Sequence, residues 1–442
     1  MRLDSQFGWM KSAAGNVSSA DLTSRDRRTS KMLRTTSRLL IMVLVMSAFG
    51  CQRNKAEADM ESAARPLDSA SASSPRLGLW VPNTLLALTV ADKESHPQVQ
   101  FQVSEDGGDN FGKPVPVSEN GAKVRTGGEN SPVLFTDIQG DIFAAWFQSS
   151  AAGAPQLMVS GSKDFGQSFQ KPVNVIDPDR KSDGYAGFPT IAASPKGNVY
   201  VAWLDERDHS QPEGSSSVYF SRSMDRGVTF SRNLRIASVA CPCCRPQLYV
   251  GSNGEIYVAW RKVFDGDVRD MVLSRSIDGG KTFSEPVRIA VDNWVLHACP
   301  DTGPTIVGQN GRVYVAWYSE GQSKAGIRLA ISGDDGASFS PEQIVSGDVR
   351  DPGHPRLSAS EDGRILLVFQ GRSLESAKWR LNQAYLVPIN GNHAAAPVRI
   401  TNSEHSVSHP EVVAGTAGRL FLAWTESVND QNRAVLSRGW LK

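Results

Sequence analysis

The sequence has almost no net charge, and this scarcity already narrows its possible functions. Its 442 residues include 47 Lys and Arg against 46 Asp and Glu, which gives a formal net charge of +1. A near-neutral chain lacks the basic surface typical of nucleic-acid binding, so we expect no nucleic-acid partner. Walker and dinucleotide-binding motifs are also missing, because no glycine-rich run follows a strand and opens a helix. With 40% hydrophobic residues, the chain can still form a large core.

The N-terminal region has the layout of an export signal. Two arginines, an apolar run at 39–46 and small residues precede Cys51. This order predicts a bacterial signal peptide at 32–50. A cysteine directly after small residues resembles the lipoprotein cleavage box, with Cys51 as the lipidated residue. Cleavage without lipid and an uncleaved anchor stay open as alternatives.

The flanking segments complete this prediction. Residues 1–31 are expected to be an untranslated stretch or a disordered extension. Residues 51–74 are polar and rich in serine and alanine, which favours a disordered tether. We therefore expect an exported protein of the cell envelope, anchored to a membrane and facing the periplasm or the exterior. We also expect it to be a monomer.

From residue 75 onward the chain is a tandem repeat. Trp146, Trp203, Trp260 and Trp317 follow one another at intervals of 57 residues, and Phe369 and Trp424 continue the column. Each ends an alternating apolar run such as GEIYVAW, which predicts a strand. Roughly ten residues earlier a proline opens another apolar run, and these prolines are Pro132, Pro189, Pro246, Pro304, Pro355 and Pro410. The turns between the runs predict four short strands per unit.

Such units bury their faces by stacking radially, so we predict an all-β propeller of four-stranded antiparallel blades over 75–442. A first unit at 75–118 and six more give seven blades, which we favour. Six blades remain an alternative if the strand at 113–118 completes the final blade.

A second signature occurs five times, as SEDGGDNF at 104, SKDFGQSF at 162, SMDRGVTF at 223, SIDGGKTF at 276 and SGDDGASF at 332. In each copy the aspartate can accept hydrogen bonds from turn amides and the glycine supplies a positive φ. With these motifs the chain resembles the Asp-box (BNR-repeat) β-propellers of the sialidase superfamily, as a divergent branch. The resemblance implies that the boxes are structural and lie on the face away from the site.

The resemblance also implies which residues a catalytic member would carry. True sialidases have an early Phe/Tyr-Arg-Ile-Pro motif, three arginines that grip a carboxylate, a general-acid aspartate and a tyrosine–glutamate pair. No Arg-Ile-Pro occurs here, and Pro75-Arg76-Leu77 resembles this motif only distantly.

Propeller topology brings the loops between blades together over one end of the central axis. These loops read GGENSP, DGYAGFP, CPCCRP, WVLHACPDTGP, RDPGHP and EHSVSHP, and they contain four of the seven histidines and four of the five cysteines. From them and their neighbours we select as ligand-binding candidates Arg245, Arg261, His297, Asp301, His354 and His409. Guanidinium groups, with Arg356 as a further one, suit carboxylate ligands. The histidines have the alternative role of filling the mouth of the channel.

Two further sets of residues are candidates for chemistry. Asp205 and Glu206 could act as an acid–base pair on a glycosidic bond, with a solvated loop as the structural alternative. Cys243, Cys244, Cys299 and His297 could bind Cu or Zn. Disulfide formation is the favoured role of the cysteines, because thiols in exported proteins normally pair.

These observations lead to three functional hypotheses. The favoured one is an envelope propeller that binds a glycan or another anionic ligand in its central funnel. The alternative is an exo-α-sialidase or a related glycoside hydrolase. The second alternative is a metal-linked or thiol-linked envelope protein that uses the Cys/His loops, and apart from that metal we expect no cofactor.

Overall fold

The computed structural model describes residues 58–61, 64–67, 72–80, 83–93, 96–137, 139–180, 184–208, 215–360, 362–372, 380–429 and 431–441. The predicted extension at 1–31, the signal peptide at 32–50 and Cys51 lie outside the described residues. Within them, no helix has the length and apolar character needed to cross a membrane.

The described residues form 31 strands and two short 3₁₀ turns, at Gly321–Ser323 and Thr416–Gly418. The first strands are β1 (Ala58–Met60) and β2 (Arg65–Pro66). Unit 1 contains β3 (Ala72–Trp80), β4 (Thr84–Lys93), β5 (His96–Ser104) and β6 (Val115–Pro116). Unit 2 contains β7 (Lys123–Val124), β8 (Val133–Thr136), β9 (Ile142–Ser149), β10 (Pro155–Ser162) and β11 (Val173–Asn174). Unit 3 contains β12 (Ala186–Ala193), β13 (Val199–Asp205), β14 (Ser216–Ser223) and β15 (Leu234–Ala240).

The later units repeat this order. Unit 4 contains β16 (Gln247–Val250), β17 (Ile256–Phe264), β18 (Val268–Ser276) and β19 (Val287–Arg288). Unit 5 contains β20 (Thr305–Gln309), β21 (Arg312–Ser319), β22 (Gly326–Ser332) and β23 (Gln343–Ile344). Unit 6 contains β24 (Arg350–Ala359), β25 (Ile365–Arg372), β26 (Gln383–Asn390), β27 (His393–Ala394) and β28 (Val398–Arg399). Unit 7 contains β29 (Val407–Ala414), β30 (Arg419–Val428) and β31 (Gln431–Leu441).

Strands from the N-terminal side complete unit 7. Strands β1 and β2 both pair antiparallel with β31, through Ala58 with Leu441 and Arg65 with Leu436. The prediction of a disordered tether at 51–74 is therefore wrong for Ala58–Met60 and Arg65–Pro66, because these two short strands supply the outer edge of the last sheet. Strand β6 stays in unit 1 by pairing with β5, so the stretch at 113–118 does not close the ring.

The inner strands lie side by side around a central axis. Each of β3, β8, β12, β16, β20, β24 and β29 contacts the next, and β29 contacts β3. Apolar clusters fill the space between neighbouring units. The aromatic column lies in these clusters, and Trp146, Trp203, Trp260, Trp317 and Phe369 are fully buried. This all-β arrangement is the predicted β-propeller class.

The column explains a second sequence pattern. A buried indole N–H needs an acceptor, and the residue two positions after the tryptophan supplies it in three units. Trp146 donates to Gln148 over 3.0 Å, Trp203 to Asp205 over 3.0 Å and Trp424 to Glu426 over 3.1 Å.

The five Asp boxes form one repeated hydrogen-bonded turn. In the fifth copy Ser332 donates to Asp334 over 2.8 Å, and the Ser338 hydroxyl and amide donate to the same carboxylate over 2.6 and 2.9 Å. These bonds lower the pKa of Asp334 to about 2. The boxes connect the third and fourth strands, at the end opposite to the loops that join units.

We expect Asp334→Ala to lower the melting temperature by roughly 2–4 °C at neutral pH, because the turn loses its hydrogen-bond acceptor. The folded pKa of Asp334 is depressed, so its stabilisation is present above the unfolded pKa of about 4 and is lost as the pH falls toward about 2. The difference from wild type should therefore shrink between these values. Thermal melts across this range check it, with exposed Asp348→Ala as the control. A pH-independent difference would contradict this role for the carboxylate.

Candidate functional site

The inner strands of four units begin with the same backbone feature. Ser74, Phe188, His354 and His409 each precede a proline and have φ values of 54°, 60°, 49° and 50°. The strand register shifts at each of these positions, which marks a β-bulge. A residue before proline favours extended backbone, so this left-handed conformation is strained. Strain repeated at the same place indicates a functional end of the ring.

Glu129 lies at the centre of the charged side chains at this end. It comes from the GGENSP loop between units 1 and 2, and its side chain is fully buried. Arg245 of unit 4 donates to its Oε2 over 2.8 Å, and His354 Nδ1 of unit 6 lies 2.7 Å from its Oε1. Arg356 is 3.9 Å away. One carboxylate thus joins loops from three separate parts of the ring.

A second carboxylate, Glu411, extends this network. Arg76 of unit 1 contacts it over 2.6 Å, and Arg356 of unit 6 contacts it over 2.8 Å. Arg76 also donates to the backbone oxygen of Pro132. Its Nη2 atom is buried and has no hydrogen-bond partner among the described residues. We call Arg76, Glu129, Arg245, Arg356 and Glu411 the central arginine cluster.

The central arginine cluster is short of negative charge. Its three guanidinium groups face two carboxylates, which leaves one positive charge. Although burial opposes ionisation, Arg245 and Arg356 hold the pKa of Glu129 well below its ordinary value. Burial and the neighbouring Arg356 lower the pKa of Arg245 to about 10. Glu129 and Arg245 are therefore charged at neutral pH, and an anion would complete the balance of three guanidinium groups against two carboxylates.

Two predicted residues, His409 and Asp301, border the cluster. The centroids of the His409 and His354 rings lie 4.3 Å apart, and the buried Nε2 of His409 has no hydrogen-bond partner in the part of the chain that the structure describes. Burial, with the nearby His354, lowers the pKa of His409 to about 3, so the ring is neutral. Asp301 lies beside the loop that carries Glu129, and burial and this charge raise its pKa.

Two other predicted ligand residues do not join the cluster. Arg261 is fully buried, and its guanidinium donates to backbone oxygens of Arg269, Thr302 and Tyr318. Its hydrogen bonds hold the backbone around these three residues, and it exposes no surface to a ligand. His297 is exposed and contacts Asp267 over 2.7 Å.

The proposed acid–base pair also has a different role. Asp205 is fully buried, and its oxygens are occupied by Arg180 at 3.1 Å, Arg207 at 2.6 Å and the indole of Trp203. A carboxylate with these partners is not placed to exchange protons with a substrate. Glu206 accepts a hydrogen bond from Ser216 over 3.2 Å and lies outside the cluster.

We expect Asp205→Asn to lower the free energy of unfolding by about 2 kcal/mol, since Arg180 and Arg207 lose a charged hydrogen-bond acceptor. Ligand binding should remain unchanged, because the cluster does not contain Asp205. Urea unfolding and ligand titration of one preparation measure both effects. Lost binding in a fully folded variant would show that Asp205 contributes to the ligand site.

The four cysteines that the structure describes form one disulfide. Cys243 is bonded to Cys299, with Cα atoms 6.2 Å apart, so the bridge joins two neighbouring loops as predicted. Cys241 and Cys244 are buried and unbridged. The predicted set of Cys243, Cys244, Cys299 and His297 is not a metal site in this arrangement, because the disulfide occupies two of its sulfurs and His297 pairs with Asp267.

A second possible metal set has unsuitable charge. Ligand atoms of Glu129, His354 and His409 lie within 4.8 Å of one another. However, Arg245 and His354 already occupy both Glu129 oxygens. A cation there would also face the surplus positive charge of the cluster, so the geometry favours an anion.

The sequence contained signals for the residues that we missed. Arg76 and Glu411 directly follow an inner-strand proline, as Arg356 does, whereas the corresponding residues elsewhere are uncharged. A charged residue directly after an inner-strand proline therefore indicates a side chain of the central arginine cluster. Glu129 had no comparable signal, because it is one polar residue in a polar loop.

Comparison with known proteins identifies the family of the chain. Residues 83–422 match the family described as BNR repeat-like domain. The chain belongs to this family. The predicted sialidase-like BNR fold is thus confirmed, and membership supports a glycan-related or glycoside hydrolase-like protein. No curated protein matches the chain.

Solved structures resemble this BNR repeat-like protein at low identity. A Dyadobacter fermentans protein of unknown function is 16% identical, with a TM-score of 0.51 and coverage of 70% of this chain and 94% of that chain. The NanB sialidase from Streptococcus pneumoniae is 10% identical, with a TM-score of 0.47 and coverage of 81% and 83%. The first of these likenesses shows the fold alone.

Proposed function

We propose that the protein binds an acidic glycan, and that the central arginine cluster holds the sugar carboxylate. The observation that carries this proposal is the Nη2 of Arg76, which has no partner within the described ranges and lies in a network with one surplus positive charge. A buried donor without an acceptor is costly. A carboxylate ligand would supply that acceptor and neutralise the surplus, and the planar guanidinium fork matches its geometry.

The cluster is also preorganised for this role. Glu129 and Glu411 fix all three arginines, and the rigid inner strands carry Arg76 and Arg356. Little side-chain entropy then remains to be lost on binding. His354 and Arg356 keep 16% and 11% of their side chains exposed, so a ligand meets them first.

We place this binding in the cell envelope. The signal at 32–50 and the lipidation motif at Cys51 support export and a lipid anchor on the membrane. Because β1 already belongs to the fold at Ala58, little chain separates this anchor from the propeller.

The test is a calorimetric titration with N-acetylneuraminate, glucuronate and galacturonate, each paired with a neutral sugar of similar size. We expect at least one acid to bind, and its neutral counterpart to bind more weakly by a factor of about ten or more. This factor corresponds to the loss of one charge-assisted hydrogen bond. Equal affinity for acids and neutral sugars would overturn the proposal.

The second candidate is a glycoside hydrolase of the exo-α-sialidase type. Asp301 favours it, because partial desolvation and the charge of Glu129 raise its pKa above that of an ordinary carboxyl, which is the direction that a general acid needs. Turnover of a fluorogenic sialoside that Asp301→Asn abolishes would support hydrolysis. Absence of turnover in a preparation that binds the sugar would leave binding alone.

A further inference from the structure

Cys241 and Cys244 form a buried pair of thiols with Cys-x-x-Cys spacing. They are 0% and 1% exposed, and their Sγ atoms lie 2.8 Å apart. Neither belongs to the Cys243–Cys299 disulfide. Two sulfurs this close need only a small movement to bond, since disulfide sulfurs lie about 2.05 Å apart.

The surroundings favour thiol–disulfide chemistry over metal binding at this pair. Arg269 donates to Cys241 Sγ over 3.4 Å. The hydrogen bond from Cys244 and the charges of Arg261 and Arg269 lower the pKa of Cys241 to about 6. The thiolate is the form that attacks a disulfide. A metal cation here would lie beside guanidinium groups and would lack Cys243.

The pair is directly connected to the central arginine cluster. The backbone amide of Cys241 donates to the Arg261 oxygen over 2.9 Å, which holds the start of the turn on strand β17. Cys244 ends the turn, and the next residue is Arg245, whose guanidinium binds Glu129. A bond between Cys241 and Cys244 would close the turn immediately before Arg245.

We propose that Cys241 and Cys244 are a redox couple that closes into a second disulfide and so fixes Arg245 for ligand binding. The oxidant is a small-molecule disulfide such as glutathione disulfide. After a local opening of the turn, the Cys241 thiolate attacks one glutathione sulfur and releases the first glutathione thiolate. Cys244 then gives its proton to the released glutathione thiolate and attacks Cys241 Sγ in the mixed disulfide, which releases the second glutathione as a thiolate that takes a proton from solvent. Two protein thiols are oxidised, and one glutathione disulfide is reduced to two glutathione molecules.

Mapping of the thiols in the full chain tests the couple. The protein is held in reduced or oxidised glutathione, quenched in acid, unfolded and alkylated, and the Cys241 and Cys244 positions are read by peptide mass. We expect both to be alkylated after reduction and both to be protected, as a mutual bridge, after oxidation. In Cys241→Ser, Cys244 should stay free or carry glutathione. Full alkylation in oxidised glutathione, or four free thiols with bound Zn or Cu, would overturn the proposal.

The effect on Arg245 rests on the proposed function and is measured separately. We expect the oxidised protein to bind its acidic sugar about threefold to tenfold more tightly than the reduced protein, because the turn is preorganised. Cys241→Ser should bind equally in both buffers. Equal affinity of oxidised and reduced wild type would overturn the link to Arg245. Binding in neither form would instead count against the proposed function, while the thiol map would still decide the redox couple.

Discussion

Replacing Glu129 with glutamine is expected to lower the free energy of unfolding by about 3–5 kcal/mol, the usual cost of removing one partner from a buried ion pair. The side chain is fully buried, and its two oxygens hold Arg245 and His354. The glutamine is nearly isosteric, so little of the effect comes from a cavity. What remains is the uncompensated charge of Arg245.

Urea unfolding measures this loss, with Glu119→Gln as the matched control. Glu119 is exposed, so its substitution should change stability by no more than about 0.5 kcal/mol. Because the folded pKa of Glu129 is depressed, its stabilisation is present above the unfolded pKa of about 4.3 and is lost as the pH falls through the folded value. An unchanged urea midpoint for Glu129→Gln would show that Glu129 does not organise the cluster.

Arg76→Lys is expected to weaken binding of the acidic sugar by about 30-fold, which corresponds to about 2 kcal/mol for one charge-assisted hydrogen bond. Lysine keeps the charge and can still contact Glu411, so the fold should survive. It loses the planar fork and with it the Nη2 donor that has no partner among the residues the structure describes.

Calorimetric titration checks this second effect, with Arg232→Lys as the control. Arg232 forms an exposed ion pair with Asp179 over 2.8 Å, so its replacement should leave affinity unchanged. If Arg76→Lys bound as tightly as wild type, the ligand carboxylate would not contact Arg76.

The fold could be predicted from the sequence because its signals are local. The tryptophan column, the prolines and the five Asp boxes each follow from a few neighbouring residues, and every box forms the expected turn. The closing strands could not be predicted in the same way. Ala58 pairs with Leu441, and a three-residue strand in a polar segment carries no periodic pattern.

The sequence predicted which loops carry the site, but it did not predict the contacts between their residues. The loops between units supplied Arg245, His354 and His409, which the structure brings together. The decisive contacts join residues 116, 225 and 335 positions apart, and nothing in the sequence pairs them. Arg261 was misplaced because it follows a core tryptophan closely, where its side chain points into the protein. Asp205 was interpreted as an acid–base residue, whereas the structure shows it accepting a hydrogen bond from the buried indole of Trp203. The sequence alone does not distinguish these two roles of a carboxylate.

The most direct measurement compares the acid that the wild-type protein binds best with the methyl ester of the same sugar, by calorimetry in one buffer. The ester keeps the ring and hydroxyl groups and removes only the negative charge. An anion site built from Arg76, Arg245 and Arg356 predicts that the ester binds at least about 30-fold more weakly. Equal affinities would contradict the account, since the arginines would then not be holding a carboxylate.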